Sequence, residues 1–200
     1  MGRTVEFLFD VVSPTAYLTY KRLPDIAART GAAIAWTPVF LGGIMNATGN
    51  VPPGTVPAKG KYMNRDLVRC AARFDIAFTL NPHFPVNTLT LQRAAVALLD
   101  EAGEEAFARF IDACFQAIWV DAKNMGEPAV AGEVLSAAGF DADVLLARAS
   151  DPVIKDKLKS NTDGAVARGV FGAPTFFVGD EMYFGQDRLD YVEDALGLIE

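Results

Sequence analysis

The sequence is short of several residue types, and each shortage excludes a class of protein. Its 200 residues include one histidine, His83, and two cysteines, Cys70 and Cys114. One histidine cannot supply a multi-histidine metal site, and two cysteines cannot form a disulfide scaffold. Cations are also outnumbered, because 18 Lys and Arg stand against 25 Asp and Glu and give a net charge of −7. We therefore expect no metal centre and no nucleic-acid partner, since phosphate contacts need clustered cations.

Long apolar runs are missing as well. No run approaches the roughly 20 residues that span a bilayer, and the strand-like segment 5–9 is too short for a signal-peptide core. We therefore expect a cytoplasmic protein without a membrane partner, in which both cysteines stay reduced. Apolar residues are nonetheless plentiful at 51% of the chain, which excludes disorder. Length and composition predict one large domain or two small ones.

The first forty residues have the pattern of a β-α-β unit. Residues 5–9 predict a strand, and Ser13 with the proline after it predicts a helix N-cap and first turn. Apolar residues at helical spacing follow as far as Gly31, although Pro24 should kink or split this helix. Residues 33–40 predict a second strand, and this order favours a parallel pair.

The remainder of the chain divides into three parts. Residues 41–57 are rich in Gly, Pro, Asn and Thr and predict a long irregular loop, which in compact chains is usually functional. From about 60 to 160 the spacing predicts four or five helices. The assigned runs are one capped by Asn87 that ends at Ala102, then Glu104–Trp119, Pro128–Gly139 and Pro152–Arg168. Residues 174–178 and 182–184 predict two strands, and Asp187 is expected to cap a final helix over 188–198.

Three places could carry chemistry, and each also has an ordinary structural explanation. Ser13 is a plausible helix cap, yet a hydroxyl at a helix N-terminus can also donate to an anionic sulfur or oxygen. With one histidine in the chain, a serine-hydrolase triad is not expected. Pro174 would be trans by default. The segment 185–188 is a turn with an Asp cap, or a carboxylate site containing Arg188.

Several other polar residues have mainly structural explanations. The run Lys59, Lys61 and Arg65 is typical of a solvated helix face. His83 is expected to pack in a loop. A redox pair of Cys70 and Cys114 is not expected, because they are 44 positions apart.

Taken together, these segments resemble the 2-hydroxychromene-2-carboxylate isomerases. These enzymes are relatives of the kappa-class glutathione transferases in the DsbA-like branch of the thioredoxin superfamily. The resemblance covers nearly the whole chain, and the matching segments are 9–17, 47–50, 83–88, 117–119, 170–175 and 179–189. It implies an α/β fold in which an all-helical insertion, 56–161, interrupts a thioredoxin-like domain formed by 1–55 and 162–200. No Cys stands at Ser13 and no Cys-x-x-Cys occurs, which argues against disulfide exchange.

The resemblance also implies a cofactor, glutathione, and roles for individual residues. Pro174 would be cis, the backbone of Ala173 would pair with the cysteinyl part of glutathione, and Ser13 would lie against its thiol. The segment that would hold the γ-glutamyl end contains Gln186, Asp187 and Arg188. Ser13 would act as a donor that favours the thiolate, whose unperturbed pKa is about 8.5.

The implied reaction interconverts 2-hydroxychromene-2-carboxylate and trans-o-hydroxybenzylidenepyruvate, with glutathione regenerated. Candidate contacts to this small unsaturated keto acid are Asn50, Asn87 and Trp119. Relatives often carry a Lys in the segment matching Met45-Asn46, and this chain has none. The alternatives are a kappa-like glutathione transferase and a non-catalytic thioredoxin-like binding module. Relatives are commonly homodimers, so a homodimer is expected here.

Overall fold

The computed structural model describes residues 3–198 and contains one sheet surrounded by helices. The strands are β1 (Thr4–Phe9), β2 (Ala33–Pro38), β3 (Thr175–Val178) and β4 (Glu181–Phe184). The helices of this described part are α1 (Pro14–Thr30), α2 (Leu41–Thr48), α3 (Pro57–Arg73), α4 (Leu89–Glu101), α5 (Gly103–Trp119), α6 (Pro128–Ala137), α7 (Ala142–Arg148), α8 (Pro152–Ala167) and α9 (Leu189–Leu198). Two short 3-10 turns, Pro53–Thr55 and Gln186–Arg188, complete the order. Over residues 3–198 no helix is both long and apolar enough to cross a membrane.

The four strands form a mixed sheet in the order β2-β1-β3-β4. β1 is parallel to β2 and antiparallel to β3, so that Phe7 lies between Trp36 and Phe176. β3 and β4 form an antiparallel hairpin. The predicted β-α-β unit and the predicted C-terminal strand-turn-strand are therefore confirmed.

The central strand β1 is buried on both faces because alternate side chains point to opposite sides of the sheet. Phe7 and Phe9 enter the larger core, where the ring centroid of Phe9 lies 6.2 Å from that of Phe107 on α5. Leu8 enters a smaller core on the other face, with Ile44 of α2 and other apolar side chains. Aromatic packing thus joins the helical block directly to the sheet.

The proposed domain limits can be placed on these elements. The limit at 55/56 falls between the turn Pro53–Thr55 and α3, whereas the limit at 161/162 falls inside α8. α8 would therefore belong partly to each unit. The division into a sheet domain and a helical insertion stays a prediction.

The prediction of an irregular loop over 41–57 is wrong for its first half, which forms α2. Gly42 and Gly43 weaken intrinsic helix propensity, but tertiary contacts outweigh this effect. The Leu41 amide donates to Asp10 Oδ2 at 2.9 Å, and the Phe40 amide donates to Thr162 Oγ1 at 3.0 Å. Ile44 is completely buried, so one face of α2 is anchored to the core.

Three further local predictions need correction. Pro24 does not split α1, which is one helix of 17 residues. α7 was not predicted, although Asp141 caps it by accepting from the Val144 amide at 3.1 Å. The last helix begins at Leu189, after a 3-10 turn that contains Asp187. Thr88 occupies the N-cap position of α4 but makes no side-chain cap bond, whereas Asn87 Oδ1 accepts from the Leu89 amide at 3.2 Å, as a capping residue does.

Candidate functional site

Ser13 occupies the N-cap of α1 and is 97% buried, with a relative exposure of 3%. Its Oγ accepts from the Ala16 amide at 3.2 Å, which satisfies one of the free amides of the first turn. The same hydroxyl donates to the carbonyl oxygen of Ala173 at 2.9 Å, and it lies 2.9 Å from the hydroxyl oxygen of Thr15. The predicted cap is therefore confirmed, and it orients the hydroxyl toward a second segment.

That second segment precedes β3 and contains the peptide bond between Ala173 and Pro174. This bond is cis, as the resemblance implies and contrary to the default for an X-Pro bond. The carbonyl oxygen of Pro174 accepts from the Gly185 amide at 3.0 Å. Hydrogen bonds therefore connect Ser13, the Ala173–Pro174 segment and the turn at Gly185.

The turn at 185–188 presents exposed charged side chains at one end of this hydrogen-bonded series. Gly185 has φ +98 and ψ 151, a region that is essentially restricted to glycine. A Cβ atom at this position would lie 2.6 Å from Asp187 Oδ1, so the glycine lets the carboxylate approach the backbone. Asp187 and Arg188 are exposed and form an ion pair of 2.7 Å.

Unlike the exposed side chains of Asp187 and Arg188, the side chain of Gln186 contacts α1 and α3. Arg22 on α1 donates to the Gln186 carbonyl oxygen at 3.0 Å and to Gln186 Oε1 at 3.2 Å. Gln186 Nε2 lies 3.4 Å from the sulfur of Cys70 on α3. Burial lowers the pKa of Arg22, and nearby Asp190 acts in the opposite direction. Arg22 was not predicted from the sequence, where it looks like one more helix-surface cation.

Asp10 fixes the loop that leads into Ser13. Its buried carboxylate accepts from the Val12 amide at 3.1 Å, the Leu41 amide at 2.9 Å and the Thr88 hydroxyl at 2.6 Å. Burial raises the pKa of Asp10, while these three donors favour the ionised form and act in the opposite direction. Asp10 therefore ties this loop to the N-termini of α2 and α4.

Gln92 on α4 also holds the loop that leads into Ser13. Its Nε2 donates at 2.8 Å to the carbonyl oxygens of both Phe9 and Val39, and its Oε1 accepts from the Val11 amide at 3.4 Å. These bonds satisfy backbone groups at the carboxyl ends of β1 and β2, where the ladder between the strands ends. Gln92 is completely buried and was also missed from the sequence.

The three candidate substrate residues lie around this loop in different environments. Trp119 is 2% exposed, and its indole nitrogen donates to the Val11 carbonyl oxygen at 2.9 Å. Asn50 is exposed, and its Nδ2 donates to the Phe171 carbonyl oxygen at 2.8 Å, two residues before Ala173. Asn87 is exposed and immediately precedes Thr88, whose hydroxyl donates to Asp10. All three therefore border the Ser13 loop or the segment before Pro174.

The remaining nucleophilic and titratable candidates have structural surroundings. Cys114 on α5 is completely buried, and burial raises the pKa of its thiol. Cys70 and Cys114 are both free thiols. His83 stands in an exposed loop, where its amide donates to Asn81 Oδ1 at 2.8 Å.

The family model described as "DSBA-like thioredoxin domain" matches residues 4–197. The chain belongs to this family. A solved structure of 2-hydroxychromene-2-carboxylate isomerase superimposes on this chain with a TM-score of 0.86 at 28% identity, covering 97% of this chain and 94% of that one. The predicted fold class, a DsbA-like thioredoxin fold, is therefore confirmed.

Two groups of curated relatives span almost the whole of this DsbA-like chain. A 2-hydroxychromene-2-carboxylate isomerase from Sphingobium xenophagum is 34% identical over 98% of this chain and 99% of the relative. The enzyme of the same name from Pseudomonas putida is 31% identical over 98% and 95%. Human glutathione S-transferase kappa 1 is 28% identical over 98% and 92%. The predicted resemblance to the isomerases and to their kappa-class relatives is confirmed.

Proposed function

We propose that the protein is a glutathione-dependent isomerase that interconverts 2-hydroxychromene-2-carboxylate and trans-o-hydroxybenzylidenepyruvate. The observation that carries the proposal is the Ser13 hydroxyl, which lies at the N-terminus of α1 and 2.9 Å from the Ala173 carbonyl before cis-Pro174. The similarity to named isomerases over almost the full length supports the reaction class. We also propose a homodimer and a cytoplasmic location, which stay predictions.

The polar and charged groups from Ser13 to the turn at 185–188 fit a peptide-like thiol with two carboxylates and one ammonium group. Asp187 offers an exposed carboxylate to the ammonium group, and Arg188 offers a cation to a carboxylate. Gly185 leaves open the space that a Cβ would fill beside Asp187. The backbone of Ala173 is the proposed partner of the cysteinyl part, so these residues and Gln186 would hold glutathione.

Ser13 would act as a hydrogen-bond donor rather than as a nucleophile. A serine hydroxyl has one proton, so its donation to an anionic sulfur requires the O–H to turn away from the Ala173 carbonyl. The free amides and dipole of α1 favour negative charge at the same place. Both effects lower the pKa of a nearby thiol, whose unperturbed value is about 8.5.

When bound, glutathione would supply a thiolate that adds reversibly to the unsaturated keto acid and permits rotation about the former double bond. Asn50 and Asn87 lie exposed at the border of the site, where they can donate to the carboxylate of the acid. Trp119 lies beneath the loop and would act through Val11. Asp10 and Gln92 would keep the loop in place during the reaction.

A kappa-like transferase is the second candidate, because kappa-class relatives also span nearly the whole chain. The two functions differ in what happens to glutathione. We expect ultraviolet-monitored conversion of 2-hydroxychromene-2-carboxylate to accelerate on addition of reduced glutathione, with no loss of titratable thiol. Stoichiometric loss of thiol would instead identify a transferase, and a folded protein that gives no conversion would contradict the proposed substrate.

A further inference from the structure

α3 carries a row of cations in a chain that is otherwise acidic. Lys61, Arg65, Arg69 and Arg73 recur every four residues and are all exposed. At 3.6 residues per turn this spacing places them along one gradually turning side of the helix. α3 contains one acidic residue, Asp66, whereas the whole chain has a net charge of −7. We refer to these four residues as the α3 cation row.

The row is not neutralised by the rest of the molecule. Within residues 3–198, the ion pairs shorter than 4.0 Å involve other Lys and Arg residues and none of these four. Some other exposed cations are paired, as Lys159 is with Asp163 and Arg29 with Glu193, so the row differs from these in having no carboxylate partner among the described residues. Like charges four residues apart on one helix repel each other, so helix stability favours Arg73, in the last turn of α3, but does not explain the row as a whole.

The C-terminal end of the row reaches the proposed glutathione site. The guanidinium carbon of Arg73 lies 5.7 Å from the ring centroid of Phe74, and that of Arg22 lies 3.6 Å from the same centroid. Arg22 in turn donates twice to Gln186. A series of cations therefore extends from Lys61 along α3 to Arg22, which contacts the turn at 185–188 and also lies 4.0 Å from Asp190.

We propose that the α3 cation row is an electrostatic guide that attracts carboxylate-bearing small molecules, glutathione first, to the turn at 185–188. The inference rests on the proposed function, because it takes that turn as the glutathione site. Glutathione is an anion at neutral pH, and so is the keto acid. A molecule with a charge of −7 repels both at long range, and a local cation row offsets this repulsion where entry occurs.

The dimensions of the row predict a strong dependence on salt. From Lys61 to Arg73 the helix rises about 18 Å, whereas the Debye length is roughly 8 Å at physiological ionic strength and 30 Å at 0.01 M. At physiological salt only the end near Arg73 acts on a ligand at the turn. At low salt the whole row contributes, so the guidance should be largest there.

The test compares two variants that remove the same number of charges. One is Lys61→Gln/Arg65→Gln/Arg69→Gln/Arg73→Gln. The matched control is Arg109→Gln/Lys155→Gln/Lys157→Gln/Lys159→Gln, which changes exposed cations on α5 and α8. Stopped-flow fluorescence gives the association rate constant for reduced glutathione, calorimetry gives its Kd, and circular dichroism with thermal melting checks the fold.

We expect the row variant to associate with glutathione roughly three- to tenfold more slowly than wild type at 20 mM salt. The difference should disappear at 0.5 M salt, and the control variant should behave as wild type. Equal losses in both variants would show a net-charge effect and overturn the guide, as would no loss in either. If wild-type protein binds no glutathione, the proposed function fails and the guide fails with it. If wild type binds glutathione and the row variant associates as fast as wild type, the guide is wrong but the proposed function is not contradicted.

Discussion

Ser13 Oγ and the carbonyl oxygen of Ala173 are joined by a 2.9 Å hydrogen bond although the residues are 160 positions apart. The bond exists because β1 and β3 are neighbours in the sheet, which brings the end of β1 beside the start of β3. The position of the hydroxyl therefore depends on both halves of the sheet. It also depends on the first turn of α1, whose Ala16 amide occupies a lone pair of the same oxygen.

Replacement of Ser13 by alanine should remove activity far more than it removes stability. Loss of one donor to a developing or standing anion typically lowers kcat by about 10²–10³-fold. Loss of an N-cap lowers the free energy of unfolding by about 1 kcal/mol, so the variant should remain folded. The measurements are kcat with saturating glutathione and the urea midpoint.

Asp141→Ala is the matched control, because Asp141 caps α7 through the Val144 amide, in an exposed part of the structure. It should show a similar loss of stability and normal kcat. Full activity of Ser13→Ala would contradict the donor role. A non-catalytic binding module would lack glutathione-dependent conversion in the wild type as well.

Replacement of Trp119 by phenylalanine separates a positioning role from direct contact with substrate. The change keeps a ring stacked on Phe78, whose centroid is 5.8 Å away, but removes the N–H that donates to the Val11 carbonyl. A buried carbonyl without its partner should lower the free energy of unfolding by about 1–3 kcal/mol. Positioning predicts a lower kcat with little change in KM for the acid. A raised KM with normal kcat would instead support contact.

The other tryptophan provides the control for this substitution. Trp36 on β2 is partly buried and packs edge-on against the core residues Phe7 and Phe9 rather than beside the Ser13 loop. Trp36→Phe should therefore lower stability by loss of packing but leave kcat near the wild-type value.

The parts of the site that could be predicted are those encoded by neighbouring residues. Ser13 is recognisable because a strand, a cap and a proline follow one another within ten positions. Arg22 and Gln92 were missed because their partners are 164 and up to 83 positions away. One signal for Gln92 was available, since it is a polar residue next to Leu91 in a largely apolar helix. α2 was missed for the same reason, because contacts of Leu41 and Phe40 with distant side chains outweigh its two glycines.

Replacement of Asp10 by asparagine should change how stability depends on pH. Burial raises the pKa of Asp10 above the ordinary carboxyl value of about 3.9. Between the two pKa values the folded chain holds a proton that the unfolded chain has released. The free energy of unfolding that this proton contributes is fully present below the pKa of Asp10 in the unfolded chain. It is lost as the pH rises through the pKa of Asp10 in the folded chain, at about 1.4 kcal/mol per pH unit.

Urea unfolding of wild type and Asp10→Asn from pH 4 to 8 measures this effect. Because the other carboxylates are common to both proteins, the difference between the two free energies of unfolding isolates Asp10. As the pH rises above the ordinary carboxyl range, the free energy of unfolding of the variant should increase relative to that of wild type. Parallel curves would contradict a raised pKa.

Replacement of Gly185 by alanine should disturb the turn that would hold glutathione, and Gly179 offers a matched comparison. Both glycines have positive φ, +98 at Gly185 and +59 at Gly179, but only at Gly185 would a Cβ meet another atom, Asp187 Oδ1 at 2.6 Å. Alanine at Gly179 adopts the ordinary left-handed region at a cost of about 1–2 kcal/mol. At Gly185 the backbone region is essentially restricted to glycine, and about 1–3 kcal/mol of strain adds to displacement of the carboxylate.

We therefore expect Gly185→Ala to weaken glutathione binding measured by calorimetry, whereas Gly179→Ala should lower the urea midpoint and leave Kd unchanged. The reason is that the Gly185 amide also donates to the Pro174 carbonyl, so a shift of the turn moves the segment that contains Ala173. If both variants bind glutathione as tightly as wild type, the turn at 185–188 does not hold it. If both lose affinity equally, general destabilisation rather than displacement of Asp187 is the cause.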